Sequence, residues 1–122
     1  MTRGQKIPDE KHPITVTPTE GTVRVTIGDT VVAESTRSLT LQEADYPPVQ
    51  YVPLADVDAS LLSETATSTH CPYKGDASYY TVTTADGAVE DAGWTYHQAY
   101  DAVAEITDHV AWYPDKASVE IG

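Results

Sequence analysis

The sequence predicts a mainly β domain with one short helix near the C-terminus. Three observations carry this: apolar residues alternate with a period of two through most of the chain, glycine turns punctuate those runs, and a single stretch repeats at helical spacing. A chain of 122 residues has room for one hydrophobic core and not for two.

The first segment, 1–13, is polar and contains Arg3, Lys6, Lys11 and prolines. It lacks the apolar run of a signal peptide and is expected to be a flexible tail, leaving 14–122 as a single domain. Ile14 to Thr17 reads as a short strand. Val23, Val25 and Ile27 alternate with Thr22, Arg24 and Thr26, which places the aliphatic side chains on one face of a second strand. Gly28-Asp29 supplies a tight turn, and Thr30 to Glu34 returns as the partner. Leu39 and Leu41 alternate with Ser38, Thr40 and Gln42 in a further strand. Tyr46-Pro47-Pro48 and Val52-Pro53 deny the chain backbone donors, so this stretch is expected to run along an edge and not within a sheet.

Asp58 is placed to cap a helical turn towards Glu64. Thr65 to Tyr73, rich in threonine, predicts a strand, followed by a turn at Lys74-Gly75-Asp76 and a return from Ser78 to Thr84. Asp86-Gly87 predicts another hairpin, with Val89 to Tyr96 as its second arm. Ala99, Ala102, Val103, Ile106 and Val110 form the one helical stripe. Ala111 to Tyr113 and Ala117 to Ile121, separated by Pro114-Asp115, read as closing strands.

Composition narrows the function. Asp and Glu number 19 against 7 Lys and Arg, a net charge of −12. Such a charge repels phosphate backbones and anionic lipid headgroups, so neither nucleic acid nor a membrane surface is an expected partner. A lone cysteine, Cys71, cannot form an intramolecular disulfide and suits a reducing, cytoplasmic address. The four histidines are scattered, and no HxH, HExxH or CxxC pair pre-arranges metal ligands. Phosphate-loop, dinucleotide-binding and serine-hydrolase signatures are missing as well. No cofactor is expected, and the sequence leaves monomer and homodimer equally open.

One window, Thr69-His70-Cys71-Pro72-Tyr73-Lys74-Gly75, gathers an imidazole, a thiol, a phenol and an ammonium beside a glycine turn. In extended chain, Thr67, Thr69, Cys71 and Tyr73 share one face and His70 takes the other, which argues against an adjacent Cys-His dyad. Lys74 is placed to offer an ammonium to an anionic group on a small ligand, or else is a solvated turn lysine. Arg37 is a second cationic candidate, with the alternative of a strand-end arginine paired to a carboxylate. Trp94, Tyr96, Trp112, Tyr79 and Tyr80 supply the aromatic groups, either as core or as pocket walls. Tyr79 and Tyr80 point to opposite faces, so only one can serve a given pocket.

These residues form a pattern: Tyr51-Val52-Pro53 with Asp56-Val57, then Thr69-His70-Cys71-Pro72-Tyr73-Lys74-Gly75-Asp76-Ala77 and Tyr79, then Trp94-Thr95-Tyr96 and Val110-Ala111-Trp112-Tyr113-Pro114. The pattern resembles the family called domain of unknown function 427, with Ala99 standing where the family usually has proline and Trp112 where phenylalanine is usual. The resemblance implies a β-tent, two antiparallel sheets packed at a steep angle, similar to methionine sulfoxide reductase B and the thalidomide-binding domain of cereblon. The paired zinc cysteines of those relatives are lacking here. Some labels for the family are nucleotidyltransferase-like, but the Gly-Ser and paired-aspartate signature of such enzymes is not visible.

The expectation is therefore a small domain that binds a small polar or anionic ligand in an aromatic-walled pocket. Its candidate residues are Lys74, Tyr73, Cys71, Trp94, Tyr96, Arg37 and Tyr79, with the Lys74 turn and Trp94 meeting around one hollow. The alternatives are an enzyme using the Cys71 thiol, or a protein-interaction module docking through an edge at 46–53.

Overall fold

The computed structural model describes residues 5–122. Ten strands follow one another: β1 (Ile14–Pro18), β2 (Val23–Ile27), β3 (Thr30–Ser35), β4 (Leu39–Glu43), β5 (Val49–Pro53), β6 (Leu62–Cys71), β7 (Gly75–Thr84), β8 (Gly87–Thr95), β9 (His109–Trp112) and β10 (Ser118–Ile121). They form two antiparallel sheets, one of seven strands in the order β1-β4-β5-β9-β8-β7-β6 and one of three in the order β10-β2-β3. The period-two alternation read from the sequence is what gives each sheet an apolar face to bury.

The large sheet is apolar on both faces. Towards the small sheet it presents Val52, Tyr80, Val82, Ala92, Val110 and Trp112, which pack with Val23, Val25, Val32 and Ala33. On its other face Tyr51, Tyr79, Ala111, Leu41 and Ala77 form a second core with Tyr96, Val103 and Ile106. Neighbours in sequence divide between the two: Tyr79 goes to one core and Tyr80 to the other, as a strand requires. Gly93 permits the close packing of this sheet, because it stands opposite Trp112 in the β8–β9 pair. A Cβ there would lie 2.9 Å from the Ala111 carbonyl oxygen and 2.9 Å from Trp112 Cε3.

Two local expectations are corrected. The proline-flanked stretch contains an interior strand, since β5 lies between β4 and β9. Its prolines stand before the ladder or at its end: Pro47 and Pro48 precede the strand, and Pro53, its last residue, is the terminal partner of His109, so Val49 to Val52 keep their N–H groups. This takes from 49–53 the free edge on which docking was expected, though Tyr46 beside it remains exposed. The helical stripe, in turn, yields a 3₁₀ turn over Asp101–Ile106, interrupted at Val103 (φ −130°, ψ 30°), and Val110 belongs to β9. Val103 and Ile106 are both buried. Residues three apart eclipse in a 3₁₀ helix, so this pair buries one face without an α-helix.

The remaining helical pieces are 3₁₀ turns at Leu54–Asp56 and Ala59–Leu61. Asp58 caps the second by accepting from the Ser60 N–H, as the sequence predicted. Among the described residues no helix is long and apolar enough to cross a membrane.

Candidate functional site

Two irregularities in the large sheet face each other. The β6–β7 register shifts between Glu64 and Ser68, and the β7–β8 register shifts between Tyr80 and Val82. Bulges of this kind re-aim side chains. Between them Asp91 of β8 takes a left-handed conformation, φ 48°, which costs an L-residue of this size about 1 kcal/mol. Hydrogen bonds offset that cost: the Thr65 and Thr67 hydroxyls donate to its carboxylate at 2.8 and 2.7 Å, and its own N–H donates to Thr81 Oγ1 at 3.3 Å. The Thr67 hydrogen bond and then that of Thr65 hold the Asp91 carboxyl below the ordinary range, so it is an anion at neutral pH.

Beside Asp91 opens a hollow of about 370 Å³ lined by Thr67, Thr69, Tyr79, Asp91, Tyr113, Asp115 and Lys116. Its hydroxyls are arranged in sequence. Thr69 Oγ1 and the Tyr79 hydroxyl are 2.9 Å apart, and the Tyr113 hydroxyl donates to that of Tyr79 at 3.4 Å. The Tyr79 and Tyr113 rings lie nearly parallel, 11° apart, with centroids 6.4 Å from each other. Burial, and next the Tyr79 hydroxyl, pushes the Tyr113 phenol up to about 12, so it keeps its proton throughout the neutral range. The Lys116 ammonium sits 5.3 Å from the Tyr113 ring centroid and donates to the Glu90 carbonyl at 3.0 Å, a cation–π contact held by the backbone.

Tyr113 also touches Trp94, with centroids 4.7 Å apart, and Trp94 meets Tyr51 edge-on at 6.5 Å. Tyr79 and Trp94 are direct cross-strand partners. One face of the sheet thus carries an aromatic band, Tyr79, Trp94, Tyr113 and Tyr51, running across β7, β8, the immediate continuation of β9, and β5.

Of the residues singled out in the sequence, Tyr79, Trp94, Tyr96 and Cys71 do gather in or against this inner core. Tyr79 and Trp94 are in the band. Tyr96 is 5% exposed, and burial pushes its phenol far above the ordinary range. Cys71 is half-buried against the same core. Among the described residues no imidazole is bonded to it: His70 binds Asp76, His97 binds Asp108 and Glu64, and His12 binds Glu43.

Lys74 and Tyr73 sit on a different cluster. The Lys74 ammonium is 2.6 Å from Glu43 Oε1, with side-chain exposures of 13% and 14% that leave the pair little solvent. The other Glu43 oxygen holds His12 Nε2 at 2.8 Å, and the His12 ring stacks on Tyr73 at 4.1 Å. Burial pushes the Glu43 carboxyl up, but the hydrogen bonds from Lys74 and His12 outweigh it and hold the group below its ordinary value. Residues 5–13 therefore contribute to this corner; the Lys6 N–H also donates to the Pro72 carbonyl at 2.8 Å. Arg37 lies apart, its guanidinium forked on Asp56 at 2.8 and 3.2 Å. Lys74 and Arg37 are not in the lining of the hollow beside Asp91.

The family described as domain of unknown function (DUF427) matches residues 15–121. The chain belongs to that family. Comparison with curated protein sequences found no match. The DUF427 match spans every strand from the second residue of β1 to the end of β10, so the band and the hollow both lie within it.

Asp91, Tyr113 and Lys116 were not among the residues the sequence singled out. One signal pointed to Asp91: an aspartate, poorly suited to a strand interior, in a run where alternation places it with Val89 and Gly93. Among the described residues no three His, Cys, Asp or Glu side chains are grouped to hold a metal ion.

Proposed function

We propose that this domain binds a small, uncharged polar ligand, rich in hydroxyl or amide groups, in the hollow lined by Thr69, Tyr79, Asp91 and Tyr113. The single observation that carries the reading is the run of hydroxyls from Thr69 through Tyr79 to Tyr113, set beside a carboxylate that is fixed by two threonines and a strained backbone. Strain held in place at a concave surface is characteristic of binding sites. Hydroxyls both donate and accept, Asp91 accepts, and the tyrosine faces provide apolar area at low entropic cost.

Charge selects against an anion. The lining holds two carboxylates, Asp91 and Asp115, against the one ammonium of Lys116, and the chain as a whole carries −12. With Lys74 already neutralised by Glu43, the anionic ligand first expected loses its receptor, and the polar ligand remains.

The test is a thermal-shift and NMR screen of simple sugars, polyols, nucleosides and small amides. A ligand at ten times its Kd stabilises the native state by about 1.4 kcal/mol, or about 5 °C in Tm for a domain of this size. Hits are expected to lose that shift in Tyr113→Ala and in Asp91→Ala. Hits that bind both variants as tightly as wild type would overturn the reading.

A further inference from the structure

A second hollow lies on the other side of the Trp94–Tyr113 contact. It has about 360 Å³, and Pro47, Pro48, Trp94, Trp112 and Ile121 are prominent in its walls. Apart from the two indole N–H groups, Gln50 is the one lining residue with a polar side chain, and both ends of its amide are engaged, Nε2 on Thr40 and Oε1 on Thr19. An incoming group meets apolar carbon there almost everywhere. Ile121 stays 53% exposed at the rim, so the hollow is open to solvent. The Trp112 indole, itself 4% exposed, keeps a buried Nε1–H without an acceptor among the described residues. Native structures rarely leave such a donor unmatched, which marks this region as one the chain does not complete by itself.

The two hollows are linked by one ring contact of the aromatic band. Tyr113 lines the polar hollow and Trp94 the apolar one, and their centroids are 4.7 Å apart. Crossing from one to the other runs over these ring faces, which suit a flat or extended apolar group.

We infer that the ligand is amphipathic: a polar head in the hollow beside Asp91 joined to an aryl or short alkyl group that crosses the Trp94–Tyr113 floor into the apolar hollow. The inference rests on the polar site proposed above and adds the class of molecule that fills it. Apolar burial supplies the affinity of the tail, and the hydroxyls and Asp91 fix the orientation of the head.

The experiment uses matched probes, methyl and phenyl β-glucoside, and N-methylacetamide and N-phenylacetamide, titrated against the full chain by two-dimensional NMR. The chain has two tryptophans, Trp94 and Trp112, and both line the apolar hollow, so their two indole N–H signals report directly on it. In at least one pair the phenyl member is expected to bind about tenfold or more tightly than its methyl partner and to shift both indole signals. In Ile121→Asp, a change at an exposed rim position, the ratio between partners falls towards one; Pro48→Asp serves as a second variant with the same expected ratio. Equal affinity within both pairs, no binding by either phenyl probe, or a phenyl advantage that survives both variants overturns the inference. The polar-site reading fails by a different result, methyl-probe binding that is indifferent to Tyr113→Ala.

Discussion

Replacing Gly93 with alanine tests how closely β8 is packed on β9 beside Trp112. Gly93 has no left-handed φ, so alanine is open to its backbone, and the loss of unfolded-state freedom alone would stabilise the protein by about 0.4–1 kcal/mol. Against this, the new methyl would lie 2.9 Å from the Ala111 carbonyl oxygen, 2.9 Å from Trp112 Cε3 and 3.0 Å from Val110 Cγ1. Carbon atoms prefer about 3.5–4.0 Å. Two of the three neighbours are poor at yielding, one being backbone in a paired strand and the other a ring in the closed core between the sheets. Overpacking of this kind costs about 1–3 kcal/mol, so the net loss is about 1–2 kcal/mol, or about 4–8 °C in Tm. Urea unfolding followed by tryptophan fluorescence measures it, with an unchanged slope expected. Because Trp112 supplies one of the clashes, Gly93→Ala should cost less in a Trp112→Leu background, with a coupling of at least about 0.5 kcal/mol. A Gly93→Ala protein as stable as wild type would refute the reasoning.

Further outcomes follow from the charged groups. The hydrogen bond that Asp108 accepts and then the one that Glu64 accepts raise His97 above its ordinary 6.5, so its stabilisation is complete below that value and is lost as pH rises through the higher folded value. The urea midpoint of wild type should therefore fall relative to His97→Gln as pH is raised past 6.5. Glu43 has the opposite sign: its folded pKa is lowered, so its contribution is present above the ordinary glutamate range and is lost in acid, and Glu43→Gln should flatten the acid limb of a stability profile. Lys74→Met leaves the Glu43 carboxylate with His12 as its remaining partner and should cost about 2 kcal/mol by chemical denaturation, below the value for a fully buried pair. Asp91→Asn should lower the urea midpoint less than Asp91→Ala, because asparagine tolerates the left-handed backbone and retains an acceptor for a threonine hydroxyl.

Most strands were legible because their residues obey a simple alternation. Val23, Val25 and Ile27, or Tyr79 against Tyr80, declare their faces from spacing alone. β5 was misread because prolines were weighed as features of the whole stretch, whereas their effect depends on which side of the ladder each N–H would have faced, and that is set by distant partners. The 3₁₀ turn at Asp101–Ile106 was misread for a related reason: a stripe at three- and four-residue spacing serves either kind of helix. Of the aromatic members of the site, Tyr79 was visible as a residue type and Tyr113 was not. What joins them to Asp91 is a pair of register shifts on neighbouring strands, and no local pattern in β6, β7 or β8 announces where a ladder will slip. Lys74 drew attention as a cation in an acidic chain, but its partner Glu43 is 31 residues away in sequence, and that distance kept the pair invisible.

The slip in β6 has a bearing on solubility as well. This strand ends the order of the large sheet, and a ten-residue terminal strand offers a long row of unpaired backbone groups to any other chain that meets it. Its irregular stretch between Glu64 and Ser68 breaks that row into two shorter pieces, so that a straight newcomer cannot zip along its whole length. Restoring an even ladder there, by removing two of the three residues 65–67 that stand opposite Tyr79, would do more than dismantle the Asp91 hollow: it would hand the protein a sticky border and a route to intermolecular sheet growth.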